Sequence, residues 1–144
     1  ARVEHTGHNR SINRSQWQLA ELEAALSHDE GHHRMEFDRL RHLIALRREQ
    51  AAFHPNATQF TLQMADGLFG FWRQSMDRRQ SIFCIFNISD RPQPLCLSDV
   101  NLVMTDHWHD LISGQVYPEG NESIELAPYQ ALWITNTSPS VSSL

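Results

Sequence analysis

The hydrophobic period of the chain changes near residue 58, and this change limits the possible folds more than any other feature. Before it, apolar residues recur at every third or fourth position, which is the spacing of an amphipathic helix. After it, Phe60, Leu62 and Met64 alternate with polar residues, as in a half-buried strand. The sequence therefore predicts an α+β fold in which helices precede an antiparallel β module.

Two amphipathic helices are predicted in the N-terminal third. The first begins after a capping-box pattern, with Ser15 as the cap and Gln18 three residues later. The second extends from about His32 to Ala52, and Pro55 prevents it from continuing much further. Each helix carries an apolar stripe, and packing the two helices against each other would bury too little of this apolar surface. We therefore expect the stripes to pack on something else.

The remainder of the chain reads as short strands separated by turns. Ala65-Asp66-Gly67 predicts a hairpin turn, and the apolar run Ser81–Ile88 predicts a central strand that is buried on both faces. Further strands are predicted at Gln93–Leu97, Leu102–Trp108, Gln115–Tyr117, Ser123–Leu126 and Ala131–Thr135. This pattern favours a β-sandwich or a meander, followed by a frayed, Ser/Thr-rich tail.

Composition excludes several classes of partner. The 144 residues carry a net charge of −5 and have no basic run, so we expect no nucleic-acid partner and no anionic membrane surface. No apolar run approaches the roughly 20 residues that a membrane span requires. Cys84 and Cys96 lie in apolar runs, which favours buried free thiols and a cytoplasmic location over a disulfide, although a single bridge between them stays possible.

Two groups of residues could carry metal or acid-base chemistry. His107 and His109 alternate along a predicted strand and precede Asp110, which could suit a metal such as zinc. A complete site needs three or four ligands, and we favour surface or loop histidines, with no metal and no other cofactor. The aspartates fall mostly in turns, where this residue is common, so we predict no catalytic residue within the chain.

Two further groups could bind sugars or anions. Trp72, Trp108 and Trp133 could stack on sugar rings, but their apolar neighbours favour core packing. In the polar N-terminal arm, Arg10, Asn13 and Arg14 could bind an oxyanion or sugar hydroxyl groups. The alternative for this arm is an ordinary polar loop.

Several segments, in this order, resemble the C-terminal region of sucrose phosphorylase-like enzymes of glycoside hydrolase family 13, the α-amylase superfamily. They are Thr6–Arg14, Leu19–Leu22, Leu43–Phe53, Asp110–Gly114 and Ile124–Ile134. The resemblance implies that residues 1–54 are the last active-site loop and closing helices of a (β/α)₈ barrel. It further implies that residues 55–136 are an antiparallel β-sandwich C-terminal domain and that residues 137–144 are a tail.

The resemblance also implies a function for the parent enzyme. Such an enzyme transfers glucose from an α-glucoside to phosphate or water with retention, which requires two carboxyl groups flanking the bond. In the family these groups lie on earlier barrel strands, so we expect the isolated chain to be inactive and its partner to be the missing barrel. Arg14, with Asn13 beside it and Arg10 nearby, is then the candidate for contacting sugar or phosphate.

A barrel origin would also explain the uncovered helices. We expect the chain to expose an apolar patch along Phe37, Leu40 and Ile44, or to cover it by self-association or by docking on the β domain. Two alternatives stay open at this point: a free-standing carbohydrate-binding module and an interaction domain without a ligand.

Overall fold

The computed structural model describes residues 7, 16–28, 31–96, 100, 108–117 and 123–136. The chain forms two compact units, Ala1–His42 and Leu43–Leu144. Helices come first and antiparallel strands follow, so the predicted α+β fold is confirmed. In the part of the chain given above, neither helix has both the length and the apolar character that crossing a bilayer would need.

The two helices are α1, Leu19–Ser27, and α2, His32–Glu49. The predicted start of α1 after Ser15 is wrong, because residues 16–18 are not helical and the capping position is Gln18, whose side chain makes no capping bond. Trp17 instead packs its ring edge-on against His33, with 5.4 Å between ring centroids. Arg34 donates a hydrogen bond to the carbonyl of Leu26 at 3.2 Å, which joins the end of α1 to α2.

Neither helix buries a single residue. Phe37, Leu40 and Ile44 are all exposed, which is the first of the two outcomes expected for this patch, and Leu19 and Leu22 on α1 are exposed as well. An amphipathic helix is normally stabilised by burying its apolar stripe rather than by its intrinsic propensity. Within the residues that the structure describes, the apolar stripes of both helices are therefore exposed rather than packed.

The described strands form two antiparallel sheets. The larger has the order β1-β2-β3-β8-β5-β6, and the smaller pairs β4 with β7. The strand bounds are β1 Thr58–Thr61, β2 Leu68–Gln74, β3 Ser81–Asn87, β4 Gln93–Cys96, β5 Trp108–Asp110, β6 Val116–Tyr117, β7 Ser123–Leu126 and β8 Ala131–Thr135. A short 3₁₀ turn, Ala51–Phe53, links α2 to the first strand.

The main core lies between the two sheets. We call the side of the large sheet that faces this core the inner face, and it presents Phe83, Ile85 and Ile134. Leu95 of β4 and Leu126 of β7 cover these residues from the small sheet. The arrangement is therefore sandwich-like, and β3 is largely buried as its apolar run predicts. Its neighbour β8 is also largely buried.

The opposite, outer face of the large sheet carries a smaller apolar cluster. Ile82 and Cys84 of β3 alternate with the inner-face residues and pack against Ala52 of the 3₁₀ turn. Both cysteines are free thiols, but the predicted burial holds only for Cys84. Cys96 is exposed because it alternates with the buried Leu95 at the end of β4.

Candidate functional site

The residues predicted to contact sugar or phosphate, Arg10, Asn13 and Arg14, lie outside the described residues. Their roles therefore stay predictions. Among the residues with described positions, the feature that stands out is the place where the chain leaves α2 and meets the outer face of the large sheet. We call this place the junction and define it by residues 50–54 together with Arg73 and Gln80.

Gln80 holds the junction from the start of β3. Its side-chain oxygen accepts a hydrogen bond from the backbone nitrogen of Ala52 at 2.9 Å, and its side-chain nitrogen donates to Gln50 Oε1 at 2.7 Å. Both Gln80 and Ala52 are buried. A buried amide group must find partners within the protein, so this pairing fixes the position of the 3₁₀ turn on the sheet.

Arg73 holds the same segment from β2. Its Nε donates to the carbonyl of Ala52 at 3.0 Å, and one terminal nitrogen donates to the carbonyl of His54 at 2.6 Å. The other terminal nitrogen donates to Gln59 Oε1 at 3.1 Å. The rigid fork of the guanidinium suits such a fan of acceptors, so Arg73 and Gln80 together bind both backbone groups of Ala52.

The sequence did not predict that Gln80 and Arg73 would bind the backbone of Ala52. Gln80 closes the turn before the buried strand β3, and Arg73 is a charged residue in the otherwise largely apolar strand β2. An Arg within such a strand is a usable signal, because a charge beside a core requires a partner. The partners themselves lie 21 and 28 residues away and have no sequence pattern.

Beside the junction, three phenylalanine rings pack together on the outer face. Phe69 and Phe86 stack with 6.1 Å between centroids, and Phe71 lies 6.0 Å from Phe86 and 6.1 Å from Phe69. We call Phe69, Phe71 and Phe86 the outer aromatic surface. Phe69 remains 46% exposed, and the other two rings are half-buried. The sheet thus presents contiguous aromatic area that the described residues do not fully cover.

The tryptophans considered as sugar platforms pack internally, which confirms the predicted core role. Trp72 is stacked between Phe60 and Phe83 at 5.1 and 5.9 Å. Trp108 meets Phe83 edge-on at 5.5 Å. Trp133 likewise meets the ring of Phe53, at 4.9 Å. A sugar-binding tryptophan needs an open ring face, and these rings are engaged with other aromatic residues.

Of the residues considered as metal ligands, His109 and Asp110 are buried in β5, and His107 lies outside the described residues. The carboxylate of Asp110 accepts hydrogen bonds from the backbone nitrogens of Trp133 at 2.8 Å and Ser113 at 2.9 Å. Burial lowers the pKa of His109, and the charge of Asp110 partly opposes this effect. Within the described residues, no three His, Cys, Asp or Glu side chains form a group that could hold a metal ion. Asp110 therefore has a structural role here, as an anchor between β5 and β8.

Comparison with known proteins gives a consistent picture. No family model matches the chain. A glucosylglycerate phosphorylase of Spirochaeta thermophila is 30% identical over 142 residues, which covers 92% of this chain and 24% of that protein. A glucosylglycerate phosphorylase of Escherichia coli K12 is 31% identical over 134 residues, covering 93% of this chain and 22% of that protein. The chain thus spans about a quarter of the length of the curated relatives that it matches.

Solved structures support the same fold. AmyP in complex with maltose matches 77% of this chain and 22% of its own, with a TM-score of 0.63 and 18% identity. An Anoxybacillus α-amylase matches 91% of this chain and 28% of its own, with a TM-score of 0.61 and 14% identity. At such identities the likeness establishes the fold alone.

The relatives named above are glucosylglycerate phosphorylases, so the narrower likeness to sucrose phosphorylase stays a prediction. Three observations agree that the chain corresponds to part of a larger protein of this kind. Helices precede strands, the match covers only part of the relatives, and the fold is shared with part of an α-amylase. The resemblance of this chain to part of a glycoside phosphorylase, with the fold of part of an α-amylase, is thereby confirmed.

Proposed function

We propose that this chain is the C-terminal region of an α-glucoside phosphorylase, where it supports a catalytic barrel and is not catalytic alone. The similarity of nearly the whole chain to about a quarter of the glucosylglycerate phosphorylases carries the proposal. The uncovered apolar stripes of α1 and α2 support it, because helices of a barrel's outer layer bury such stripes against the barrel strands.

The reaction of the complete enzyme follows from the relatives' name and from the chemistry of retention. As the glycosidic C–O bond of a glucoside such as glucosylglycerate breaks, one barrel carboxyl group gives its proton to the departing glycerate oxygen and the other carboxylate bonds to the glucosyl carbon. Phosphate then displaces that carboxylate and returns a proton to the first carboxyl group. Phosphate is the proposed acceptor rather than water, because the relatives are phosphorylases. Sucrose stays the alternative donor.

Arg14 is the proposed contact to the phosphate or the sugar, with Asn13 and Arg10 beside it. A guanidinium can bind two phosphate oxygens at once, whereas an ammonium group provides a single point charge. In the complete enzyme, Arg14→Lys should therefore raise the KM for phosphate about tenfold or more, and Arg14→Ala should raise it further. An unchanged KM for both phosphate and glucoside would remove Arg14 from the proposed site.

The domain boundary is proposed to fall at the junction, with residues 1–54 completing the barrel and 55–136 forming the β domain. The contacts of Arg73 and Gln80 with Ala52 place residues 50–54 where the β domain begins to bind the chain, and the compact units divide earlier, between His42 and Leu43. The proposed compartment is the cytoplasm, and the two unpaired cysteines agree with a reducing environment.

An activity assay with two proteins tests the proposal. The complete enzyme should release glucose 1-phosphate from glucosylglycerate or sucrose when phosphate is present, whereas the isolated chain should release none. Calorimetric titration of the isolated chain with the same glucosides should show no binding. Turnover by the isolated chain would contradict the claim that the catalytic carboxyl groups lie elsewhere, and tight sugar binding would favour a carbohydrate-binding module.

A further inference from the structure

A cavity of about 400 Å³ opens where α2 ends, and residues between Arg47 and Pro55 line it. All of these residues belong to the second compact unit, so we call this space the junction cavity. Its volume lies within the range of about 300–1,000 Å³ that is usual for small-ligand sites. Arg47, Arg48 and His54 supply donors, whereas Phe53 and Pro55 supply apolar wall. The cavity is therefore suited to a small ligand with a charged group.

The two arginines give the junction cavity a positive charge. Within the described parts of the chain, no carboxylate forms an ion pair with Arg47 or Arg48, and Glu49 is the one acidic residue among those that line the cavity. Other arginines do have such a partner: Arg34, Arg39, Arg41, Arg79 and Arg91. In a chain whose net charge is −5, two adjacent cations without a carboxylate partner indicate a site for an anion.

The end of α2 does not use these guanidinium groups as caps. Arginines in the last turn of a helix commonly bind its free carbonyl groups. Here Gln50 does so instead, because its Nε2 donates to the carbonyl of Leu46 at 3.2 Å and its backbone nitrogen donates to the carbonyl of Arg47 at 3.3 Å. Among the described residues, none accepts a hydrogen bond from the side chain of Arg47 or Arg48. Their donors are therefore available to a ligand.

His54 is held in place by its own backbone and ring contacts. Its carbonyl accepts a hydrogen bond from Arg73 at 2.6 Å, and its Nδ1 accepts one from the backbone nitrogen of Asn56 at 3.1 Å. A neutral imidazole that accepts at Nδ1 carries its proton on Nε2, so Nε2 is the donor of this ring. Because Arg73 and Gln80 fix the segment that carries His54, a ligand would have little backbone to order.

We propose that the junction cavity binds a phosphate group, either as inorganic phosphate or as part of a sugar phosphate. Each guanidinium group of Arg47 and Arg48 presents a fork of N–H donors that matches phosphate oxygens. Nε2 of His54 adds a further donor, and Phe53 and Pro55 offer apolar contact to the remainder of a larger ligand. The site does not depend on the proposed phosphorylase reaction.

NMR titration of this chain with inorganic phosphate at pH 7 tests the proposal. The Nε–H signals of Arg47 and Arg48, assigned by their loss in the Arg→Gln variants, should shift and saturate with a Kd on the order of 1 mM. Arg47→Gln and Arg48→Gln should each raise this Kd about tenfold. Glu49→Gln should lower it about two- to threefold, because it removes a negative charge from the lining.

Arg91→Gln is the matched control. It makes the same change in charge, its side chain is 85% exposed, and it does not line the cavity, so the Kd should stay unchanged. Arg47, Arg48 and Glu49 are exposed as well, so the fold should survive all four substitutions. The opposite effects expected for Glu49→Gln and the arginine variants separate ligand binding from a general loss of structure.

A parallel titration with glucose 1-phosphate distinguishes the two sources of the phosphate group. A lower Kd than for inorganic phosphate would identify a sugar phosphate as the ligand, with its ring against the apolar wall. An equal or higher Kd would identify free phosphate. Both results support a phosphate site in the junction cavity.

Three outcomes would overturn the proposal. Shifts that do not saturate up to about 20 mM of either ligand would mean that no site exists. Equal shifts in sodium chloride of the same ionic strength would reduce the effect to charge screening. A loss of affinity in Arg91→Gln as large as in Arg47→Gln would show that the net charge of the chain, rather than the cavity, attracts phosphate. Failure of the proposed reaction is separate, since a complete enzyme without phosphorolytic activity could still bind phosphate here.

Discussion

Gln80 Oε1 lies 2.9 Å from the backbone nitrogen of Ala52, and this hydrogen bond joins two buried residues that are 28 positions apart. The same backbone unit is held at its carbonyl by Nε of Arg73, at 3.0 Å. The segment that follows α2 is therefore fixed on the sheet by polar contacts as well as by the apolar contact of Phe53 with Trp133.

The first prediction concerns Gln80. Gln80→Ala should lower the free energy of unfolding of the β domain by about 1–3 kcal/mol, because it leaves the buried N–H of Ala52 without its acceptor. Urea denaturation measures the change. Arg79→Ala is the control, since this neighbouring side chain is exposed, and it should change the stability by less than about 0.5 kcal/mol. Equal effects of the two substitutions would show that the contact is dispensable.

The second prediction tests whether Arg73 and Gln80 act as one unit. Arg73→Lys keeps the charge, but its single ammonium group cannot reach the carbonyls of both Ala52 and His54 in the geometry of the fork. It should cost about 1–2 kcal/mol of stability. In a double-mutant cycle with Gln80→Ala, the two effects should differ from additivity by about 0.5 kcal/mol or more, because both residues bind Ala52. Strict additivity would mean that they hold the segment independently.

The positions of many strands along the chain could be predicted, because an apolar run or an alternating pattern indicates which faces of a strand are buried. β7 and β8 begin and end at the predicted residues, and β4 begins at the predicted Gln93, whereas its predicted end at Leu97 lies outside the described residues. The start of α1 could not be predicted from its capping box, because Trp17 packs on His33, a contact that no local pattern encodes. The hydrogen bonds of the junction could not be predicted for the same reason. Arg73 and Gln80 are polar, lie far from Ala52 in the sequence and follow no periodic pattern.

The third prediction concerns Asp110, whose carboxylate is 1% exposed and accepts several backbone hydrogen bonds. Asp110→Ala should destabilise the fold by about 3 kcal/mol, since three backbone N–H groups lose, together, an acceptor in part-buried hydrogen bonds. Asp110→Asn should cost less, because one oxygen remains. Asp77→Ala removes a carboxylate with similar local bonds in an exposed turn, so it should have a much smaller effect in the same denaturation assay. A large effect of Asp77→Ala would show that burial is not the cause.

The fourth prediction separates the two cysteines. Burial raises the pKa of Cys84 to about 12, so almost none of it is thiolate at pH 8. Cys96 is exposed. A chromogenic disulfide reagent at pH 8 should therefore modify one thiol in the native chain and both in denaturant. The native Cys96→Ser variant should not react within the same time. Rapid modification of Cys84 in that variant would reveal local opening of β3.

The fifth prediction follows from His109, which is 5% exposed in β5. Burial lowers its pKa below the ordinary value of about 6.5, although the charge of Asp110 partly opposes this. The folded state therefore favours the neutral imidazole. Above about pH 6.5 both states are neutral, whereas at lower pH the unfolded chain binds the proton more readily.

The contribution of His109 to stability should thus be complete above about pH 6.5 and should be lost progressively as the pH falls from there towards the folded-state pKa. The loss cannot exceed about 1.4 kcal/mol per pH unit for one proton. Urea denaturation between pH 5 and 8 should show a steeper decline for the native chain than for His109→Gln, which cannot titrate. The chain has nine histidines, so only the difference between the two profiles reports on this residue. Parallel profiles would mean that His109 takes up its proton equally readily in the folded and unfolded chains.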